Sequence, residues 1–241
     1  MNPNLEVQVN KTQAGLYTVT YGRKEAPLDV QEAAFAANNL GIVSPAQLGF
    51  LRAKDSHIFN HYSRTGPHDV FYDDRHNTVV IAPGGAISKL VGIANLTDAH
   101  RQNQEYVIPK SQRDLVYAMV DEMLRRGTAF TASDGRTDVS TSKFGQTELT
   151  SMLFSDDISG IKAQDYGDWQ KEQGRATQSI FFDDADYAKS QKAPYLNRLR
   201  VYGPDIVFFV VGYGRGLDNR NGAFGVRFEK TAEGGAKKSK K

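Results

Sequence analysis

The sequence predicts an α+β fold with an antiparallel sheet, because helical patterns occupy the first two thirds of the chain and strand patterns the last third. The clearest helical pattern spans residues 109–126 and ends in a basic turn followed by Gly127. Its apolar positions at helical spacing are Leu115, Val116, Met119, Val120 and Met123. From residue 179 onward, short apolar runs alternate with glycine-rich turns, which is typical of strands.

The composition is that of a globular chain and excludes several kinds of chemistry. The 241 residues are 39% hydrophobic, which is enough for one large domain or two small ones. No cysteine is present, so disulfides, a thiolate nucleophile and cysteine zinc sites are excluded. The formal net charge of +2 predicts no general attraction to nucleic acid. Because neither a leader sequence nor a membrane span is visible, we expect a soluble, cytoplasmic protein and leave display at a cell surface open.

A strand and a helix are predicted near the start of the chain. Residues 16–21 alternate between apolar and polar, as a half-buried strand does, and residues 5–9 are expected to pair with them. Asp29 and Glu32 have the spacing of a capping box at the start of a helix that ends near residue 39.

Ser44 followed by Pro45 predicts the start of a second helix, which we expect to reach about residue 62. Residues 70–82 predict a hairpin around a polar turn. The further expected elements are a helix over residues 87–103, a loop over 133–145, short helices over 148–154 and 165–173, and a buried strand over 179–184.

Trp169 is the single tryptophan of the chain and lies within the short helix predicted over residues 165–173. Large aromatic side chains are highly buried on average. We therefore expect Trp169 to anchor the core rather than to contact a ligand.

The longest apolar run near the C terminus, residues 205–213, has two apolar faces. Period-2 alternation places Ile206, Phe208 and Val210 on one face and Val207, Phe209, Val211 and Tyr213 on the other. The run is either a central strand covered on both sides or a strand with one face exposed as an apolar binding surface.

The residues that follow favour the binding surface. Glycine alternates with Tyr213, Arg215 and Leu217, and an asparagine-rich turn at residues 218–222 comes next. Glycine at alternate positions exposes the backbone and projects the side chains between. Tyrosine, arginine and asparagine are common in adaptable recognition surfaces. A structural hairpin would also use asparagine and glycine, so this second interpretation stays open.

Two passages resemble those of a known family. Residues 222–228, Gly-Ala-Phe-Gly-Val-Arg-Phe, resemble the Gly-Phe-Arg closing strand of the formylglycine-generating-enzyme-like branch of the C-type lectin fold. Residues 29–53 are similar to the first helix of that branch and its Leu-Pro-Thr motif, with Val43, Ser44 and Pro45 in its place. With the glycine-rich segment before the closing strand, the chain resembles the C-type-lectin-fold variable proteins of diversity-generating retroelements.

This resemblance implies a C-type lectin fold with a large helical insertion and a C-terminal antiparallel β region. It divides the chain into a single domain of residues 1–231, with the insertion around residues 60–193 and a variable region at residues 196–228. A disordered basic tail, residues 232–241, follows. The closing strand is expected to pair with residues 16–21.

The resemblance also implies a binding protein with no catalytic activity and no cofactor. In such proteins the hairpins of the variable region present a ligand surface diversified by retroelement mutagenesis. The side chains expected to be exposed there and to contact the ligand are Tyr202, Asp205, Val207, Phe209, Val211, Tyr213, Arg215, Asp218, Asn219 and Asn221. The ligand is a macromolecule or a small molecule, and a protein is favoured.

A histidine pair suggests one alternative, a metal-dependent enzyme. His57 and His61 are spaced i and i+4, which would place both on one helical face. The spacing is similar to the opening of the His-x-x-x-His-x-Glu iron motif of sulfoxide synthases, but Ser63 stands where that motif has a carboxylate. We therefore expect an ordinary helix surface and no bound metal.

Lysines in the C-terminal tail suggest another alternative, nucleic-acid binding. Lys237, Lys238, Lys240 and Lys241 could form a basic arm. No basic patch elsewhere in the sequence accompanies them, so a solvated tail is favoured and nucleic acid is not the expected partner.

Overall fold

The structure is a computed structural model that describes residues 6–14, 16–55, 58, 63–101, 106–132, 136–156, 160–181, 193–201 and 222–231. The strands within these ranges are β1 (Val9–Ala14), β2 (Tyr17–Glu25), β3 (Gly41–Ile42), β4 (Ser63–Asp73), β5 (Thr78–Pro83), β6 (Tyr106–Val107), β7 (Phe130–Ala132), β8 (Arg136–Ser140), β9 (Thr177–Phe181), β10 (Tyr195–Val201) and β11 (Gly222–Lys230). The helices are α1 (Leu28–Ala37), α2 (Pro45–Lys54), α3 (Ala86–Val91), α4 (Ile93–Arg101), α5 (Lys110–Arg125), α6 (Glu148–Phe154) and α7 (Ala163–Glu172), with a 3₁₀ helix at Thr141–Gln146.

Nine of the described strands form one sheet, whose main order is β1, β2, β11, β4, β10 and β6. β5 lies between β4 and β7, and β3 pairs with β11. The described pairings are antiparallel except where Ala223 of β11 lies beside Arg64 of β4. β8 and β9 form a separate antiparallel pair. The predicted α+β fold with an antiparallel sheet is confirmed.

β11 is the predicted closing strand, and it pairs with β2 along its whole length. Val226 lies opposite Tyr21, and Arg227 lies opposite Thr20, so the expected pairing with residues 16–21 is confirmed. A side chain at Gly225 would overlap the ring of Phe35, which packs directly on the strand. The second glycine of the closing motif therefore makes room for α1.

Helices cover both faces of the sheet. Alternate side chains of each central strand point to opposite sides, so one strand contributes to two cores. In β5, Val79 and Ile81 belong to a core shared with α2, α6 and α7. Val80 and Ala82 belong to a second core shared with α3, α4 and α5. The sheet is therefore a buried middle layer.

Residues 60–193, the expected helical insertion, contain α3 to α7 and also strands of the main sheet. β4, β5, β6 and β7 all come from this stretch. The stretch thus contributes to the sheet as well as carrying helices. No helix within the described ranges is long and apolar enough to cross a lipid bilayer.

The first two helices begin in different ways. The Oγ atom of Ser44 accepts a hydrogen bond from the amide of Gln47 at 3.2 Å, and the Gln47 side chain accepts one from the Ser44 amide at 3.0 Å. This capping box confirms the predicted start of α2. The capping box predicted for Asp29 and Glu32 is wrong. α1 begins after Pro27, and Asp29 lies in its first turn. A negative charge at that position stabilises the helix through its interaction with the helix dipole.

α2 is shorter than predicted. It ends at Lys54 rather than near residue 62, because Asp55 takes an extended conformation with φ −135° and ψ 109°. The amide of Asp55 still donates to the carbonyl of Leu51 at 2.8 Å and so closes the last helical turn. No proline or glycine marks this end in the sequence.

Two other predictions need correction. The helix expected over residues 87–103 is two helices, α3 and α4, which are separated at Gly92 with φ +90°. The loop expected over residues 133–145 contains β8 and most of the 3₁₀ helix. The side chains of this stretch are mostly polar and do not show the apolar alternation of a half-buried strand. β8 pairs with β9, outside the main sheet.

α5 matches the helix predicted over residues 109–126, and Gly127 follows its C-cap with φ +67°. Val116 and Val120 are fully buried, as expected. Leu115, which belongs to the same set of apolar positions at helical spacing, is instead 58% exposed. Consecutive helical residues are rotated by about 100°, which carries Leu115 off the buried seam.

Candidate binding surface

The two strands that flank residues 202–221 meet at one end of the sheet. Val201, the last residue of β10, lies opposite Ser63 at the start of β4. Gly222, the first residue of β11, lies opposite Glu25 at the end of β2. The next residue, Ala223, lies beside Arg64. The strand before residues 202–221 therefore ends, and the strand after them begins, at the same end of the sheet.

Hydrogen bonds hold this end of the sheet together. The amide of Phe224 donates to the Oγ atom of Ser63 at 3.1 Å, and the carbonyl of Phe224 accepts from the amide of Val43 at 2.9 Å. The carbonyl of Val43 in turn accepts from the amide of Gly66 at 3.0 Å. β11, β4 and the segment before α2 are thus joined where β11 begins.

The described ends of the predicted variable region belong to the core. Leu196 of β10 and Ala223, Phe224 and Val226 of β11 are buried. The ten predicted ligand residues, Tyr202, Asp205, Val207, Phe209, Val211, Tyr213, Arg215, Asp218, Asn219 and Asn221, lie outside the described residues. The structure therefore describes the strands that flank the predicted surface, β10 and β11, together with Ser63 of β4, and we call these the frame.

A cavity of about 410 Å³ opens beside this frame. Its lining residues are Asn10, Tyr21, Gly22, Arg23, Asp55, Ile58 and Phe224. The phenol of Tyr21 donates a hydrogen bond to the carboxylate of Asp55. Burial together with this negatively charged acceptor raises the pKa of Tyr21 to about 12, so the phenol stays protonated near neutral pH. The cavity therefore presents polar and charged groups beside the apolar side chains of Ile58 and Phe224.

Arg23 connects the cavity with the start of β11. Its guanidinium lies so close to Gly222 that a side chain at that position would overlap it. The same guanidinium forms an ion pair with Glu25, two residues along β2. Sequence reasoning missed this group, although the alternation in β2 already places Tyr21 and Arg23 on one face.

A second cavity, of about 350 Å³, lies between α2 and α7. Tyr166 forms part of its wall and stacks on Trp169 with ring centroids 5.5 Å apart. Trp169 packs against the core, as predicted, and also lines this cavity. Sequence reasoning did not identify that second role.

The groups that suggested other functions lie mostly outside the described residues. His57, His61 and the lysines of the tail are among them. Within the described ranges, no group of three or more histidine, aspartate or glutamate side chains is arranged to hold a metal ion. His76 is described, and its Nδ1 atom lies 3.0 Å from the carboxylate of Asp73.

Comparison with known proteins identifies the fold. No family model matches the chain, and no curated protein matches it. The chain resembles a solved structure described as "Accommodation of massive sequence variation in Nanoarchaeota by the C-type lectin fold", with a TM-score of 0.52 and 15% identity. The match covers 90% of this chain and 100% of that one. The protein thus has a C-type lectin fold, as the sequence predicted, and at this identity the likeness shows the fold alone.

Proposed function

We propose that this protein binds a ligand through residues 202–221 and has no catalytic activity. One observation carries the proposal: Val201 and Gly222, which flank that segment, are both paired into the sheet at the same end. A segment held at both ends by a rigid sheet is suited to recognition, because its side chains can change without altering the frame.

The frame has the properties that such a segment needs. Ser63 and Phe224 are buried and hydrogen-bonded, and neither depends on a side chain between residues 202 and 221 for that bond. The solved neighbour offers support, since it is described as accommodating massive sequence variation on the C-type lectin fold. By analogy, residues 202–221 would be the varied part of this chain, with the ten predicted positions as ligand contacts.

The neighbouring cavity would extend the ligand surface. Tyr21, Arg23 and Asp55 supply a phenol, a cation and a carboxylate within about 410 Å³, beside the residue where the segment returns to β11. A protein ligand is the favoured partner, because mixed polar and aromatic groups are typical of protein recognition surfaces.

We also propose that the variation arises by retroelement mutagenesis. The resemblance in residues 222–228 supports this part of the proposal. It predicts a reverse transcriptase gene and an adenine-rich near-copy of the 3′ end close to the gene for this chain. A genome with neither would contradict the proposed retroelement mutagenesis, whereas the proposed ligand binding would still be open to test.

The experiment compares two triple alanine variants. Replacement of Tyr213, Arg215 and Asn219 together should change the melting temperature by no more than about 2 °C, since exposed substitutions have small effects. The matched control replaces three buried residues of the frame, Leu196, Phe224 and Val226, and should unfold the protein. Equal destabilisation by the two variants would contradict the surface assignment.

A library then tests binding itself. The ten predicted positions are randomised together, and the folded variants are selected for binding to an unrelated test protein. We expect binders that melt near the parent temperature, with sequence changes confined to those positions. Failure to recover any binder from a library that stays folded would contradict the proposed function.

A further inference from the structure

We propose that the cleft between α2 and α7 is a second binding site, which takes the cationic side chain of an arginine or lysine on a partner protein. The cleft is the cavity of about 350 Å³ described above. It is distinct from the surface proposed for residues 202–221, because its lining residues come from α2, α7 and Ile161.

The walls of the cleft are aromatic. Trp169 stacks on Tyr166 with ring planes 25° apart, and Phe50 of α2 also lines the cleft. Gly49 allows this approach, since a side chain there would come within 2.9 Å of the Tyr166 ring. Ring faces carry partial negative charge and attract ammonium and guanidinium groups.

The rim of the cleft is acidic. Asp165, Asp168 and Glu172 are exposed residues of α7 that line the cleft. Their spacing of three and four residues places them on one helical face together with Trp169. Lys54 is the basic residue among those lining the cleft, and its ammonium lies 5.9 Å from the centre of the Phe50 ring.

Charge complementarity therefore selects the occupant. Three carboxylates and one ammonium line a partly aromatic cavity, so the net negative charge of the rim attracts a cation and repels an anion. A cation entering the cleft can lie against Trp169 while it pairs with the rim. Lys54 over Phe50 already shows this kind of contact at the edge of the cleft.

Trp169 makes the test specific, because it is the single tryptophan of the chain and lines the cleft. The 241-residue chain is titrated with the peptide Gly-Arg-Gly-Arg-Gly, and tryptophan fluorescence and calorimetry are recorded at low salt. A matched peptide with glutamine in place of arginine is the control. We expect a saturable fluorescence change with the arginine peptide, none with the glutamine peptide, and weaker binding as salt screens the rim.

Substitutions of the α7 carboxylates test whether the arginine peptide binds in this cleft. Glu172→Gln should weaken binding about two- to fivefold, in line with an exposed ion pair, and Asp165→Asn combined with Glu172→Gln should weaken it further. Glu148→Gln, a carboxylate in the first turn of α6, should leave the affinity unchanged. Binding that is insensitive to the α7 variants, or equal for the two peptides, would overturn the proposal.

Two further arms separate this site from its competitors. The triple variant of Tyr213, Arg215 and Asn219 should bind the arginine peptide normally, so failure of the proposed main surface and failure of the cleft give different results. Removal of residues 232–241 should also leave the affinity unchanged. Tighter binding after that removal would overturn the assignment to a partner protein. It would indicate that the tail lysines of this chain compete for the cleft.

Discussion

The amide of Phe224 donates a hydrogen bond to the Oγ atom of Ser63 across 3.1 Å, and this bond joins the start of β11 to the start of β4. Both residues are buried, so water cannot replace the bond if it is lost. Val201 of β10 lies opposite Ser63 on the other side of β4. One serine thus lies where the strands on either side of residues 202–221 come together.

Ser63→Ala should lower the free energy of unfolding by about 1–3 kcal/mol, because the buried amide of Phe224 loses its acceptor. Urea denaturation measures the change, with an unchanged m-value as the sign that the folded state stays compact. Ser142→Ala is the matched control on an exposed residue of the 3₁₀ helix and should change stability by less than about 0.5 kcal/mol. Equal effects of the two substitutions would contradict the role given to Ser63.

Gly225→Ala should destabilise the protein by about 1–3 kcal/mol, since the new methyl group would overlap the buried ring of Phe35. Gly41→Ala is the control in the neighbouring strand β3, where a side chain would meet nothing within 4 Å. Phe35→Leu should partly rescue Gly225→Ala, which a double-mutant cycle would show as a favourable coupling. Additive losses would mean that the two residues do not compete for the same space.

Local signals explain which parts of the fold the sequence predicted. The start of α2 was predicted because Ser44 and Pro45 form an adjacent N-cap and first-turn proline. The end of α2 was not, since Asp55 stops the helix without a glycine or proline. The closing strand was predicted from its likeness to a known motif, and its glycine matters because of Phe35, a residue far away in sequence.

The candidate sites depend even more on distant residues. Arg23 lies against Gly222 only after β2 and β11 have paired, and no local pattern links the two positions. Likewise, Trp169 lines a cleft because Gly49 lets α2 and α7 approach closely. Alternation could have placed Tyr21 and Arg23 on one face, but it could not show that Asp55 completes the cavity.

An ion-pair cluster ties the turn between β4 and β5 to α5. The carboxylate of Asp73, with 1% of its side chain exposed, accepts a hydrogen bond from the Arg75 guanidinium at 2.7 Å. Arg75 also pairs with Asp121 at 2.7 Å and lies 4.1 Å from the ring centre of Tyr117. Burial opposes ionisation of Asp73, but hydrogen bonds from Arg75 and His76 outweigh it and hold the pKa of Asp73 below its ordinary value.

This lowered pKa predicts how stability depends on pH. A carboxyl group whose pKa is lower in the folded state stabilises the fold above its unfolded pKa of about 3.9, and the stabilisation is lost as the pH falls through the folded pKa. Asp73→Asn should therefore cost about 1.5–3 kcal/mol at pH 7 and progressively less as the pH falls below the unfolded pKa. Denaturant melts across this range measure the difference. Asp114→Asn, at an exposed position of α5, is the control, and a cost for Asp73→Asn that does not change with pH would contradict the ionic role.

A binding protein without metal chemistry should carry no stoichiometric iron, copper or zinc after purification. Chelator should then leave its melting temperature unchanged, because a metal held only by the folded state would stabilise it by mass action. Elemental analysis and thermal melts with and without chelator check both points. One equivalent of tightly held metal that is lost in His61→Ala would replace the binding proposal with the enzyme alternative.

Removal of residues 222–241 should abolish cooperative folding, whereas removal of residues 232–241 should have little effect. β11 pairs with β2 throughout its length, so the longer deletion exposes the centre of the sheet, including the core that contains Phe224 and Val226. The shorter deletion keeps Thr231, whose amide and hydroxyl donate to the carbonyl of Leu16 at 2.7 and 2.8 Å. Circular dichroism melts of the two truncated chains test this difference. A cooperative melt of the longer truncation near the parent temperature would show that the closing strand is dispensable, contrary to its central place in the sheet.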